Sequence, residues 1–510
     1  MQRFNYSYFS ESVLKGANFV PIVQSWPADL ETPLTTWLKV GNGKPPGVLL
    51  ESVDGGENIG RWSVIATDPL WVASARGDRF VQKWRDGRSE KSISNPFHAL
   101  RKCLEPYRTQ TPENVPPLGQ LFGMWGYELI HWIEPTVPVH KISKSDPPDG
   151  VWMFMDSLLV FDQVRRLITA VVYADLTINN SEEKAFEIAV EKIKSFQSLM
   201  SLPLPKIDPL SWNQNSETSP LQKSNFTKNE FEQSVIKAKE NIASGDIFQI
   251  VLSQRFESNV DQNPFDLYRS LRIVNPSPYM AFFDFGDWQL IGSSPEVMVK
   301  AEPTDEGILA SLRPIAGTRP RGKNQKDDQQ FQKDLLADPK ERAEHVMLLD
   351  LGRNDLGRVC KPGSVEVKQL MTIEKYSHVM HIVSQVEGLL SSDKDVWDLL
   401  MASFPAGTVS GAPKIRAMQL IYELEDDLRG PYSGVYGAMD LTGALNTAIT
   451  IRTIIVQKNH EGGLKVQVQA GAGVVADSVP ALEFQETVNK AKGMMKALAC
   501  LESKSKSKSK

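Results

Sequence analysis

Short apolar runs of strand length recur along the whole chain without a helix falling regularly between them, and this spacing decides the class of fold. Early in the chain "PGVLLES", "RWSVIAT", "SLLVFDQ" and "LITAVVYA" are bounded by Gly, Asp or Pro, and a helical pattern, "SEEKAFEIAVEKIKSFQSLM", follows them. Later, "DIFQIVLSQRFES", "YMAFFDF", "QLIGSS", "HVMHIVSQV", "NTAITIRTIIV" and "KVQVQAGAG" read as strands. "DPKERAEHVMLLDLG", "APKIRAMQLIYEL" and "PALEFQETVNKAKGMMKALACL" read as helices. Strands mixed with helices, without strict βα alternation, predict an α+β fold and not a doubly wound parallel sheet.

Periodicity lapses over 202–227, where Pro, Ser, Asn and Gln dominate, and the main boundary is placed there: 1–201 before it, a connection over 202–227, and 228–502 after it. The helix that opens the second part is marked at both ends, by a Thr227 cap with Glu230 three residues on and by Gly245. Residues 503–510, alternating Ser and Lys, bury nothing and are expected to be disordered.

A net charge of −5 on 510 residues, with 41% hydrophobic and 23% charged content, excludes a polyanion-binding surface and so a nucleic-acid partner. Neither a signal peptide nor a run long enough to span a membrane is present, and Cys103, Cys360 and Cys500 share no metal or disulfide spacing. A reducing cytoplasm is the expected location.

Two helices each carry a pair of carboxylates three residues apart. In "ADPKERAEHVM", Asp338 caps, Pro339 takes the first turn and Glu341 fits a capping box, whereas Glu344 has no such explanation; Glu483 and Glu486 repeat the spacing in "LEFQETVNKA". Converging pairs of this kind suit Mg²⁺, which takes oxygen ligands. Each pair also reads as a solvated helix face, and spacing alone does not decide between the two. Arg452 shares an alternating strand face with Thr450, and Gly471, Ala472 and Gly473 read as a small-residue turn after a strand, a fork and a backbone approach for an anion. "FPAGTVSGAPKIRAM" superficially resembles a phosphate loop but fails the GxxxxGK[ST] spacing, which excludes nucleotide hydrolysis. His381, on the face of Val379 and Val383, reads either as a satisfied core histidine or as an active-site hydrogen-bond partner. In "SLRPIAGTRPRG" two prolines stiffen a cationic loop whose Arg313, Arg319 and Arg321 are expected to pair with acidic neighbours.

Taken in order, "RPIAGTRPRG", "KERAEHVMLLDLGRNDLGRV", "EKYSHVMHIVS", "FPAGTVSGAPKIRAM", "IRT" and "QAGAGVVADSVP" resemble the chorismate-utilising enzymes. "FVPIVQSWPADLETP", "GVLLESVDGGENIGRWS" and "NPSPYM" are similar to that family's anthranilate synthase component I branch. The resemblance implies a two-lobed β-sandwich of antiparallel sheets with helices packed outside, and Mg²⁺-dependent conversion of chorismate and ammonia to anthranilate and pyruvate. It further implies Mg²⁺ ligands Glu344 and Glu486 supported by Glu341 and Glu483, and chorismate contacts at Gly317, Thr318, Tyr432, Arg452 and the Gly471, Ala472, Gly473 turn. Glu296 would be the general acid toward the leaving hydroxyl, with His381 and Thr408 beside the reacting ring. Water-adding relatives carry a base lysine where this chain has Gln249, and a neutral amide is a poor base, so ammonia is the matching nucleophile. Folate-branch relatives commonly carry lysine where this chain has Ala316.

The resemblance also implies a tryptophan feedback pocket in the 1–201 part, with Glu51 and Ser52 meeting the effector's ammonium and Pro278, Tyr279 and Met280 its indole. No glutamine-hydrolysing nucleophile elbow is present, so ammonia is expected from a separate glutamine amidotransferase subunit, component II.

Overall fold

The computed structural model describes residues 5–41, 43–52, 60–111, 115–117, 119–143, 146–179, 181–207, 209–216, 223–376, 379–459 and 462–501; the Ser/Lys tail expected to be disordered lies outside them. Among the described residues two twelve-stranded sheets are formed, and every pairing in them is antiparallel. This is the expected α+β sandwich.

The first sheet runs in the spatial order Phe19–Pro27, Leu167–Asp175, Ser157–Asp162, Trp62–Thr67, Gly47–Glu51, Tyr279–Asp284, Trp288–Ser294, Thr453–Lys458, Leu464–Val474, Gln249–Val260 and Lys223–Ser224, with Gly411–Ala412 also pairing with Gln249–Val260. The second runs Ile315–Pro320, Val379–Leu389, Gly307–Leu312, Val297–Thr304, Leu445–Ile449, Val435–Met439, Leu121–Trp125, Gly150–Phe154, Trp71–Arg76, Arg79–Trp84 and Ser89–Ile93, with Glu366–Lys375 also pairing with Val379–Leu389. Each sheet contains strands from both sides of the 202–227 segment. Glu51 pairs with Met280 in the first, and Gly123 with Gly437 in the second. That segment therefore divides the chain but not the core.

Alternation explains how the strand Ser157–Asp162, apolar from Leu158 to Phe161, is buried throughout. Leu158 and Val160 join a core that gathers Phe19, Val48 and Phe283 of the first sheet and Trp71, Phe122 and Phe154 of the second. Leu159 and Phe161 face the other way, into a core closed by the helices Glu182–Ser201, Pro264–Val274 and Pro480–Cys500. No described helix is long and apolar enough to cross a membrane.

The helix Lys228–Ala243 has the capping box that its sequence predicts: Thr227 accepts from the Glu230 N–H, and Glu230 accepts from the Thr227 N–H. The helix Pro339–Gly357 is capped by Asp338, which accepts from the N–H groups of Lys340 and Glu341. The Glu341 side chain does not complete a box there, because Arg319 takes it. Thr227→Ala is expected to cost about 1 kcal/mol locally, seen as roughly fivefold faster amide hydrogen exchange through the first turn of Lys228–Ala243.

Candidate active site

The cationic loop is not a loop but the strand Ile315–Pro320, and its arginines are neutralised in place. Arg313 pairs with Glu374, Arg319 with Asp338 at 2.8 Å and Glu341 at 3.0 Å, and Arg321 with Asp328 at 2.7 Å. Between Ala316 and Thr318 the pairing with Val379–Leu389 slips by one residue, and Gly317 occupies the bulge at φ +69°. A side chain there would be strained and would also meet Leu335 and Glu341 within about 3 Å. Ala316 is buried opposite Ile382.

The bulge orients His381. Its Nδ1 lies 3.0 Å from the Gly317 carbonyl and 3.1 Å from Thr318 Oγ1. A carbonyl only accepts, so Nδ1 carries the proton and Nε2 is left basic. Burial lowers the His381 pKa and the Arg452 charge adds to this, against the opposing effects of the Gly317 bond and Glu374. The ring is therefore neutral at neutral pH.

Arg452 does not continue a strand, as its sequence suggests. It sits at φ +51° between Leu445–Ile449 and Thr453–Lys458, so the alternation with Thr450 is broken. Its carbonyl accepts from Ser293 N–H at 3.2 Å, and the Glu296 carbonyl accepts from Ile449 N–H at 3.0 Å, which ties 293–296 to 449–452. The guanidinium is half-buried, its pKa lowered by desolvation, and among the described residues no carboxylate pairs with it. Glu296, whose only hydrogen bond to the carboxyl comes from Thr408 Oγ1 at 3.0 Å among the described residues, is pushed up to about 7 by desolvation; Thr408 and the Lys490 charge oppose the shift.

Gly471, Ala472 and Gly473 are not a turn either. They lie inside Leu464–Val474, in register with Ser253, Leu252 and Val251, because the strand continues to Val474. Gly471 and Gly473 share a face, and Ala472 presents its methyl to the other. A Cβ on Gly471 would stand 2.5 Å from the buried Tyr432 hydroxyl, and one on Gly473 2.9 Å from Gln249 Nε2. The glycines are what let these two side chains lie on the strand.

Gln249 reaches on to donate to Glu344 Oε1 at 3.2 Å, linking the strand to the helix Pro339–Gly357. Lys340 on that helix acts electrostatically on Glu483, and Lys490 of Pro480–Cys500 acts on Glu344, so the two helix ends face one another. Burial raises the pKa of Glu344, with Glu341 adding to the rise; burial raises that of Glu483, with Glu486 adding. No group of three or more His, Cys, Asp or Glu side chains among the described residues is gathered into a metal cage. Glu341 is held by Arg319, and Glu486 by Lys490 at 2.7 Å.

Lys490 escaped the sequence reading. It donates to the Gly471 carbonyl at 3.0 Å as well as to Glu486, and its charge acts on Glu296, Glu344 and Glu483. Its position four residues after Glu486 on one helix was the available signal.

The remaining five residues lie on and beside the paired strands Gly47–Glu51 and Tyr279–Asp284. The Glu51 carboxylate, fully buried, is bound by Arg272 Nε at 3.0 Å and Nη2 at 3.1 Å and by the Tyr268 hydroxyl, so it is not free to meet an ammonium group. Ser52 Oγ is buried without a hydrogen-bond partner among the described residues. Pro278 and Met280 are buried, and Tyr279 lies within the electrostatic reach of Arg313 and Glu374.

A family model described as chorismate binding enzyme matches residues 48–496. Anthranilate synthase component 1 of Synechocystis sp. is 54% identical over 503 residues, covering 97% of this chain and 99% of that protein. The crystal structure of anthranilate synthase component I from Streptococcus pneumoniae TIGR4 superposes with a TM-score of 0.74 at 35% identity, covering 92% of this chain and 99% of that one. The menaquinone-specific isochorismate synthase of Escherichia coli, at 18% identity and a TM-score of 0.68 over 97% of this chain and 99% of its own, shares the fold.

Thr408→Val removes the one bond that stabilises ionised Glu296, so the midpoint of that carboxyl is expected to move above about 7. Carboxyl-region infrared difference spectra against pH, with Glu296→Gln to assign the band, measure it.

Proposed function

Because the chain belongs to the chorismate binding enzyme family, we propose that it carries the activity for which its relatives are named, the conversion of chorismate with ammonia to anthranilate and pyruvate in tryptophan biosynthesis. The observation that carries the reading is a cation with no carboxylate partner among the described residues and an acid poised near neutrality, Arg452 and Glu296, on backbone segments joined by the hydrogen bonds between 293–296 and 449–452. Chorismate carries two carboxylates and loses a ring hydroxyl, and these two groups answer those two demands.

Arg452 and the Tyr432 hydroxyl bind one carboxylate of chorismate, next to Gly471 and Gly473, while Gly317 and Thr318 flank the ring. Glu296, protonated, gives its proton to the departing 4-hydroxyl, which leaves as water; Thr408 steadies the carboxylate that remains. Gln249 cannot take a proton from water, so the incoming group is ammonia, which attacks with its own lone pair. The aminated intermediate then loses pyruvate and a ring proton to give anthranilate. His381, neutral with Nε2 basic, is the group that assists this step.

Mg²⁺ fits the oxygen-only donor set of Glu344 and Glu486, with Glu341 and Glu483 in support. Burial and like charge raise the carboxyls of Glu344 and Glu483, a strain that a divalent cation relieves. Bound there, it would supply Lewis-acid polarisation of the ring carboxylate. Glu486 must exchange its bond to Lys490 to take part.

Component 1 in the relatives' name supports a separate component 2, and ammonia is assigned to that glutamine amidotransferase partner. Feedback by tryptophan is assigned to Ser52, Pro278, Tyr279 and Met280, with Ser52 in place of Glu51 as the polar contact, since the Glu51 carboxylate is spent on Arg272.

Chorismate, Mg²⁺ and ammonium salt should yield fluorescent anthranilate, and glutamine with the chain alone should yield none; a non-aromatic amino product would overturn the assignment. Glu296→Gln is expected to lower kcat by roughly 10²- to 10⁴-fold with little change in KM. Plotted against free NH₃, the rate should fall as pH rises through about 7, because the acid form of Glu296 is lost, and should fall again below the ordinary histidine range as His381 protonates. Saturating tryptophan should inhibit the wild type and Ser52→Phe should abolish that inhibition; an indifferent wild type would remove the regulatory assignment.

A further inference from the structure

Behind the substrate face lies a charge that no step of the chemistry uses. The Arg429 guanidinium is 1% exposed, and all five of its N–H groups are committed. Nε donates to Glu425 Oε2 at 2.8 Å and Nη2 to Glu425 Oε1 at 2.6 Å, a two-pronged ion pair. The other three go to separate parts of the site: Nη2 to the Val251 carbonyl at 2.7 Å, Nη1 to the Val409 carbonyl at 2.8 Å, and Nη1 to Ser433 Oγ at 3.1 Å.

Each of those acceptors adjoins a residue placed in the reaction. Val409 follows Thr408, the partner of Glu296. Val251 is paired with Gly473, and Glu425 itself accepts from the N–H of Ser253, the partner of Gly471, at 2.7 Å. Ser433 follows Tyr432. The backbone of the hub is fixed from the other half of the chain, since Glu128 accepts from Arg429 N–H at 2.9 Å and Gly430 N–H at 3.0 Å.

We propose that Arg429, locked to Glu425, is a positioning residue that sets the proton-donating end of the site, Thr408 and Glu296, against its carboxylate-binding end, Tyr432 and the Gly471–Gly473 strand. A buried ion pair is a poor source of net stability but a good source of register, because a charged fork has few geometries that satisfy it. The inference rests on the reading of Glu296 as acid and Tyr432 as substrate contact.

Arg429→Lys keeps the charge and loses the fork; Ser433→Gly removes a single acceptor at a residue whose φ of +64° suits glycine. Steady-state kinetics of the full chain with chorismate, Mg²⁺ and ammonium salt test both. Arg429→Lys is expected to lower kcat by roughly 10- to 100-fold. It should also move the alkaline limb of the pH profile upward, because Thr408 no longer holds the Glu296 carboxyl down, while the Mg²⁺ concentration for half-activity stays put. Lys490, the other group acting on Glu296, is untouched in both variants. Ser433→Gly should raise the chorismate KM with kcat and the alkaline limb unchanged. A lower melting temperature with kcat, KM and pH profile unmoved in Arg429→Lys would overturn the proposal. Should Arg429→Lys not fold, an unchanged chorismate KM in Ser433→Gly overturns it alone. A wild-type chain without chorismate turnover brings down the underlying reading as well, whereas an active wild type with indifferent variants brings down only this one.

Discussion

Two strand pairings hold the molecule together as one body: Gly47–Glu51 against Tyr279–Asp284, and Leu121–Trp125 against Val435–Met439. Each joins a strand from before the 202–227 segment to one from after it, so neither sheet is complete without both halves of the chain. The backbone groups along those strands find their hydrogen-bond partners only across the join, and leaving them unpaired in a buried sheet would be costly. The candidate active site is built on this arrangement. Strands Gln249–Val260 and Leu464–Val474 belong to the first sheet, Ile315–Pro320 and Val379–Leu389 to the second, and the two helix ends bearing the carboxylate pairs face one another within electrostatic reach.

Electrostatics then divides the labour inside the cleft. Arginines close to the surface, Arg319 and Arg321, are quenched by carboxylates, which leaves Arg452 as a half-buried cation with no carboxylate partner among the described residues. Carboxyls are sorted the same way. Glu51 is consumed in a structural pair with Arg272, Glu425 in one with Arg429, and Glu296 receives only a hydroxyl, so desolvation lifts it to where it can carry a proton near neutrality. An arginine reaches Glu51 and Glu425 but, among the described residues, none reaches Glu296, the carboxyl proposed as the acid.

The strands were legible because alternation and continuous apolar runs report burial directly, and the Thr227 and Asp338 caps because a cap is a local hydrogen bond. The failures share one physical cause. "NTAITIRTIIV" alternates well enough to pass as one strand, yet the pairing of 293–296 with 449–452 breaks it at Arg452. "QAGAGVV" has the composition of a turn, yet its glycines serve close approach by Tyr432 and Gln249 within a strand. The resemblance implied that Glu51 would meet an ammonium group; Arg272, which takes its carboxylate instead, arrives from a helix distant in sequence.

The sequence by itself determined the elements, their antiparallel α+β character and, through its ordered motifs, the family and its chemistry, since propensity, alternation and motif spacing are all written within a few residues of one another. Tertiary structure alone decided which charges cancel and which remain. Ion pairs such as Arg272 with Glu51 or Arg319 with Glu341, and the bonds of Arg429 to its distant carbonyl acceptors, depend on distances across the fold, and a Coulomb interaction is set by separation in space and by the water excluded from it, neither of which a linear order of residues records.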